Sequence, residues 1–223
     1  MSDFKLERAN MVESQIRPNA VTSPDLLKAL SDTPRETFVP PSLRSLAYMD
    51  GVLRVENARD GQPARYLLEP MVFAKLAQLA ALRKTDRVLD IGGATGYSAA
   101  ILAKLTTSVV ALENDAGLTA VAKEGLASLG IMNVSFSMGP LEAGAPESAP
   151  YDLIFLNGLI GYLPDVFLSQ LAEGGRLVAV MGTETAAKAK VIYKIDSRLQ
   201  ERTAFDAGAP ALPGFEAKKV FAF

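Results

Sequence analysis

The chain reads as an α/β protein, a doubly wound and mostly parallel sheet behind an N-terminal helical cap. Three observations carry that reading. From residue 87 onward, apolar runs of strand length alternate with runs of helix length, the pattern of parallel strands covered by helices on both faces. The run VLDIGGATGY (residues 88–97) is a buried strand that breaks into a glycine-rich turn and resumes as a helix, which is the entry corner of a nucleotide-type pocket. Residues 1–70 lack this alternation and carry helix starts and turn residues instead. With 223 residues, 49% of them hydrophobic, the chain can bury a sizeable core as a single domain.

The elements follow in order. Phe4, Leu6, Met11, Val12 and Ile16 stand at loosely helical spacing, and Pro18-Asn19 ends the run. Ser23 reads as an N-cap with Pro24 at the first helical position, and Leu26, Leu27 and Leu30 form the apolar face behind it. Residues 33–41 make a turn and a short helical stub. Residues 48–65 are polar and turn-rich, with short strands expected at 52–55 and 66–68. The Ala-rich segment 71–82 is a buried helix. Strands follow at 87–91, 108–112, 134–138, 153–156 and 176–181, with helices over 97–105, 116–129 and 164–171. The tail offers strands at 191–195, 199–205 and 219–223, the last two expected to pair as a hairpin through the turn-rich residues 208–214. The single domain 1–223 thus divides into a cap and substrate-side segment (1–70) and a cofactor-binding α/β core (71–223).

Composition narrows the chemistry. There is no cysteine, so there is no disulfide, thiolate nucleophile or Cys-based zinc site. There is no histidine either, which removes the commonest general base and most transition-metal sites. A net charge of −2 argues against a broad nucleic-acid-binding face, and the basic pair Lys218-Lys219 reads as solvated surface. The opening MSDFKLERAN scatters charges where a signal peptide would be apolar. No apolar stretch is long enough to span a membrane. A soluble, cytoplasmic protein without nucleic-acid or membrane partners is expected.

Gly92, Gly93 and Gly96 allow a tight turn and close approach of a ligand, because no Cβ stands in the way. Their G-G-x-x-G spacing departs from the dinucleotide pattern G-x-G-x-x-G. That favours a cofactor without a pyrophosphate, with S-adenosylmethionine the leading candidate. A nicotinamide cofactor accommodates Glu113 but not this spacing. Asp90 ends the first core strand, where its carboxylate would lie beside the cationic end of the cofactor or else cap a turn. Glu113 ends the second, about twenty residues beyond the turn, where it would accept hydrogen bonds from both ribose hydroxyls or stand as a surface acid. After the third strand, Pro140 and Leu141 are placed to pack on an adenine ring, with the Leu141 backbone N–H as a donor. Asn157 lies at the carboxyl end of the fourth strand, positioned to orient an acceptor or to form a turn. No stacking aromatic follows it, which argues against a flipped base as substrate.

The chain resembles the protein-L-isoaspartate (D-aspartate) O-methyltransferases over nearly its whole length. MVESQI (11–16) is similar to that family's M-V-x-x-Q-I, PRETFVP (34–40) to its P-R-E-x-F-V-P, and AYMD (47–50) to its A-Y-x-D. The glycine loop is similar to V-L-E-I-G-x-G-x-G-Y. The resemblance implies a Rossmann-like class I methyltransferase fold with S-adenosylmethionine as cofactor. It further implies isoaspartyl-containing peptides or proteins as substrates and methyl-esterification of their α-carboxylate in protein repair. Such an acceptor is ionised at neutral pH, its pKa being near 4, so a chain without histidine can do this chemistry by alignment and water exclusion.

The departures lie around the acceptor. The family's T-I-S-x-P is here YLLEP (66–70), which places Leu68 where a serine hydroxyl lies at the reaction centre. No catalytic residue is assigned on that account. G-D-G after the third strand has become Gly139-Pro140-Leu141. Ala94 replaces a glycine, a change tolerable at negative φ. These departures leave two further readings. One is a divergent member that methylates another carboxylate or hydroxyl acceptor, and the other a non-catalytic cofactor-binding or interaction protein.

Overall fold

A computed structural model describes residues 3–59 and 61–216. The cap holds helices α1 (Phe4–Met11) and α2 (Pro24–Asp32), followed by the small antiparallel pair β1 (Leu53–Glu56) and β2 (Arg65–Leu67). Ser23 caps α2 as its sequence requires, its hydroxyl accepting from the Leu26 N–H with Pro24 in the first turn. The core follows as α3 (Pro70–Leu79), β3 (Arg87–Ile91), α4 (Tyr97–Leu105), β4 (Ser108–Glu113), α5 (Ala116–Ser128), β5 (Val134–Met138), β6 (Tyr151–Ile160), α6 (Val166–Gln170), β7 (Leu171–Thr183), β8 (Ala186–Ile195) and β9 (Arg198–Asp206).

Seven strands form one sheet in the order β5-β4-β3-β6-β7-β8-β9. The first five are mutually parallel, and β8 and β9 continue it antiparallel. Successive residues of a strand point to opposite faces, so the continuous apolar runs feed two cores. Val88, Val109, Leu153 and Phe155 pack beneath α2, α3 and α4. Leu89, Leu112, Ile154 and Leu156 pack with Phe167 of α6, Leu141 and Phe215.

The tail differs from the expected hairpin. Residues 199–205 belong to β9, which pairs with the preceding strand β8. The turn between them is Asp196-Ser197, both left-handed (φ 49° and 58°), the two-residue geometry whose twist matches flanking strands. Residues 208–214 run back across the sheet, where Pro210 and Leu212 bond Leu159 of β6. The expected strand 219–223 and the pair Lys218-Lys219 lie outside the described residues.

The PRETFVP segment ties the cap to the glycine loop. Arg35 is fully buried, with Nε donating to the Ala47 carbonyl (2.8 Å), Nη2 to the Leu68 carbonyl (2.9 Å), and its guanidinium 4.7 Å from the centre of the Tyr97 ring. The Phe38 ring meets Tyr97 edge-on, and the Phe38 carbonyl accepts from the Thr95 hydroxyl. One short segment thus fixes the cap, the Leu68 turn and the start of α4 together.

Candidate active site and cofactor groove

The glycine turn joins β3 to α4 at the carboxyl edge of the sheet, where open α/β sheets bind ligands. Gly92 and Gly96 take positive φ (68° and 95°), and so does Ala94 (φ 52°). The negative φ that would make alanine harmless at 94 is not what the turn adopts. A left-handed alanine costs about 1–2 kcal/mol, partly offset by the extra chain entropy of glycine, about 0.5–1 kcal/mol. Ala94→Gly is therefore expected to raise the unfolding free energy by about 0.5–1 kcal/mol. A urea titration reads this, and a lowered midpoint would contradict it.

The two acids lie where their strand ends place them. Asp90 is buried, and its carboxylate accepts from the Ser98 hydroxyl (2.6 Å) and from Asn157 Nδ2 (2.6 Å). Burial pushes its pKa up to about 6, against the pull of those two hydrogen bonds, and the Glu113 charge pushes the same way. Glu113 is also buried and accepts from the backbone N–H groups of Ala94 (3.1 Å) and Asn114 (2.8 Å). Its main partner is Arg65, whose guanidinium bonds both carboxylate oxygens, through Nη1 and through Nη2 (2.9 Å). Arg65 also donates to Asn114 Oδ1 (3.0 Å) and to the Gly92 carbonyl (3.2 Å).

Among the other expected site residues, Asn157 reaches this pair directly, with a shift of role. Asn157 turns inward, its amide group spent on Asp90 and on the Ile91 carbonyl (3.0 Å). Leu68 is buried and borders a cavity of about 10 Å³ shared with Arg35, Tyr97, Ser98 and Asn157, room for about one water molecule. Leu141 is fully buried in the second core, while Pro140 is exposed. Among the described residues no cluster of His, Cys, Asp or Glu is arranged to hold a metal, and no helix is long and apolar enough to cross a membrane.

Two residues at the site carry no sequence signal: Arg65 and Leu212. Arg65 is one basic residue in a turn-rich stretch, given meaning only by Glu113, 48 positions later. Leu212 comes from the Pro/Gly-rich tail and is buried above the loop. A Cβ added to Gly92 would lie 2.6 Å from Leu212 Cδ2 and 3.3 Å from Arg65 Nη2. At Gly158 it would meet Leu212 Cγ at 2.6 Å and the Pro210 carbonyl at 2.8 Å. Beneath the turn, on the side of α5 and β5, lies a cavity of about 10 Å³ bordered by Gly93, Ala94, Glu113, Ala122 and Phe136. In this conformation the residues do not fit a bound nucleoside. Arg65 holds the Glu113 oxygens, and Leu212 packs over Gly92.

A glycine turn at the end of a central parallel strand, with acids closing that strand and its neighbour, is the frame of a nucleoside-binding α/β protein of the methyltransferase type. Residues 6–206 match the model of the family Protein-L-isoaspartate(D-aspartate) O-methyltransferase (PCMT), and the chain belongs to that family. Its members are S-adenosylmethionine-dependent methyltransferases. A protein-L-isoaspartate O-methyltransferase of Koribacter versatilis is 32% identical over 206 residues, covering 92% of this chain and 90% of the relative. One of Anaeromyxobacter sp. is 37% identical over 192 residues, covering 86% and 76%. Among solved structures, a protein-L-isoaspartate O-methyltransferase superposes with a TM-score of 0.80 at 29% identity, covering 94% of this chain and 67% of that one. A Plasmodium falciparum structure described as a PCMT in complex with S-adenosyl-L-homocysteine gives 0.75 at 18% identity, covering 95% and 99%, and shares the fold.

Proposed function

We propose that this chain is an S-adenosylmethionine-dependent O-methyltransferase that esterifies a carboxylate on isoaspartyl-containing peptides or proteins. The reading is supported above all by the PRETFVP segment. It packs the cap against the glycine loop through Arg35, Phe38 and Thr95, and it lies within the family match that spans residues 6–206. A carboxylate acceptor suits the chain's own chemistry. It is ionised near neutrality with a pKa of about 4, so no proton need be removed and the absence of histidine is no obstacle.

In this reading Gly92, Gly93, Ala94 and Gly96 form the cofactor turn. Asp90 and Glu113 supply its two anionic groups, and Pro140 and Leu141 border the adenine side. Leu68 and Asn157 lie on the acceptor side. The net charge of −2 supports a peptide partner over a nucleic acid or an anionic membrane surface, and a cytoplasmic location accords with it.

Leu68 presents no hydroxyl to the acceptor. Losing one well-placed hydrogen-bond donor at a reaction centre costs on the order of 10²-fold in turnover. Transfer of tritium from methyl-labelled S-adenosylmethionine to an isoaspartyl peptide tests both points. Base-labile label is expected on the isoaspartyl peptide and not on its aspartyl isomer, formed more slowly than by a family member that keeps the serine. Label no greater than on the aspartyl control would overturn the assignment of the acceptor. A rate equal to that of a serine-bearing relative would overturn the role given to Leu68.

A further inference from the structure

The crevice assigned above to the cofactor is closed here by the chain itself. β6 overhangs its neighbour, because β3 ends opposite Leu156 while β6 runs on to Ile160. Over that overhang β7 holds one edge, with Leu159 opposite Val180. The other edge, vacated by β3, is taken by residues 207–216. The Leu159 N–H donates to the Pro210 carbonyl (2.8 Å), the Leu212 N–H to the Leu159 carbonyl (2.9 Å), and the Gly161 N–H to the Phe215 carbonyl (2.8 Å). Leu159 and Ala211 form a parallel bridge. This strap therefore stands in line with β3 beyond its carboxyl end, over the crevice where ligands of such sheets sit.

Its side chains reinforce the placement. Phe215 is buried and stacks on Phe167 with centroids 6.2 Å apart. Leu212 drops between Gly92 and Gly158. Facing it, the planar Arg65 fork occupies both oxygens of Glu113, the geometry in which a guanidinium best satisfies a carboxylate. A ribose diol approaching Glu113 would have to displace that guanidinium. The strap starts at the residue after the family-model match ends at 206.

We propose that Arg65 and the 207–216 strap form an intramolecular plug, and that S-adenosylmethionine or its demethylated product enters only when the plug leaves. This rests on the cofactor reading above. Strap docking and nucleoside binding are mutually exclusive, so apparent affinity is the open-state affinity scaled by the fraction of molecules that are open. Leu212→Ala shrinks the plug, and Arg65→Gln removes the charge that competes for Glu113.

Two measurements test this with S-adenosylhomocysteine as the probe. Calorimetric titration of the unaltered protein and both variants, each checked for folding by circular dichroism, is expected to give variant affinities at least about tenfold tighter. Hydrogen exchange of the unaltered protein is expected to speed up at the Leu159, Gly161 and Leu212 amides when the ligand is added. Equal affinities in all three proteins, or binding that leaves those amides equally protected, would overturn the plug alone. No binding to the unaltered protein or to either folded variant would overturn the cofactor reading and the plug together. If a variant fails to fold, the exchange measurement decides: faster strap exchange supports the plug, and unchanged exchange at the highest soluble ligand concentration overturns it.

Discussion

Replacing Arg176 by alanine is expected to lower the unfolding free energy by about 3–5 kcal/mol, the cost of stranding a buried charge without its partner. Arg176 is buried in β7, and its guanidinium forks onto Asp86, with Nη1 3.0 Å from Oδ1 and Nη2 2.6 Å from Oδ2. The remaining donors reach the carbonyls of Ala80, Ala81 and Asp152. One side chain thus ties β7 to the end of α3, to the turn before β3 and to the start of β6. Its removal strands the buried Asp86 carboxylate and the Ala80 carbonyl without their partner, and frees the partly exposed carbonyls of Ala81 and Asp152. Urea titration at neutral pH reads the loss, and a change below about 1 kcal/mol, the range of an exposed pair, would show the pair to be dispensable. Against typical domain stabilities of about 5–15 kcal/mol, this variant stands near the edge of folding.

Asp90 sets the second large effect, and its sign is opposite to that of a paired surface acid. The folded-state pKa is raised to about 6 from an ordinary 3.8 because burial disfavours the charge. Between those values the folded protein binds more protons than the unfolded chain, so stability falls as pH rises through the window. Above about pH 6 the whole penalty is present. A shift of this size corresponds to ~2–3 kcal/mol. Asp90→Asn keeps an oxygen for Asn157 and offers its amide to the Ser98 oxygen, but it does not titrate. The variant is expected to gain on the unaltered protein by ~2–3 kcal/mol between pH 4 and pH 7. Unfolding free energies of the two proteins across that range check it. A difference that stays constant with pH would show that Asp90 does not titrate in the window.

The core strands were the most legible part of the chain. Residues 87–91 and 134–138 are strands with the expected bounds, and 108–112 extends by one residue to Glu113. A strand buried on both faces, as β3 is, must be apolar along its length, so its ends coincide with the ends of an apolar run. The edge strand β5 instead shows the alternation VSFSM of a half-buried strand. β6 and β7 are longer than the apolar runs at 153–156 and 176–181 suggest. Their extensions contain Asn157-Gly158 and Gly174-Gly175, which fall at the two breaks in the β6–β7 register and leave little mark in hydropathy. The path of the tail is hidden from the sequence for a related reason. Turn residues at 208–214 mark a change of direction, but not whether the chain then pairs with β9 or crosses the sheet.

At the site the same division holds. The glycine turn and the two acids are local features: each sits at the end of its own strand, and the strand ends can be read from the pattern. The family follows from contiguous segments such as PRETFVP for the same reason. What occupies the groove is a property of distant pairs. Arg65 meets Glu113 across 48 residues, and Leu212 reaches Gly92 from the far end of the chain. No periodicity or spacing links such residues, because the bonds between them form only after the cap and the sheet have packed. Residue order alone was enough to place this chain in a methyltransferase family and to single out the glycine turn and two acids as its candidate cofactor site. That an ion pair and a strap pack against that turn emerges only from the packed fold, which brings those distant residues within contact.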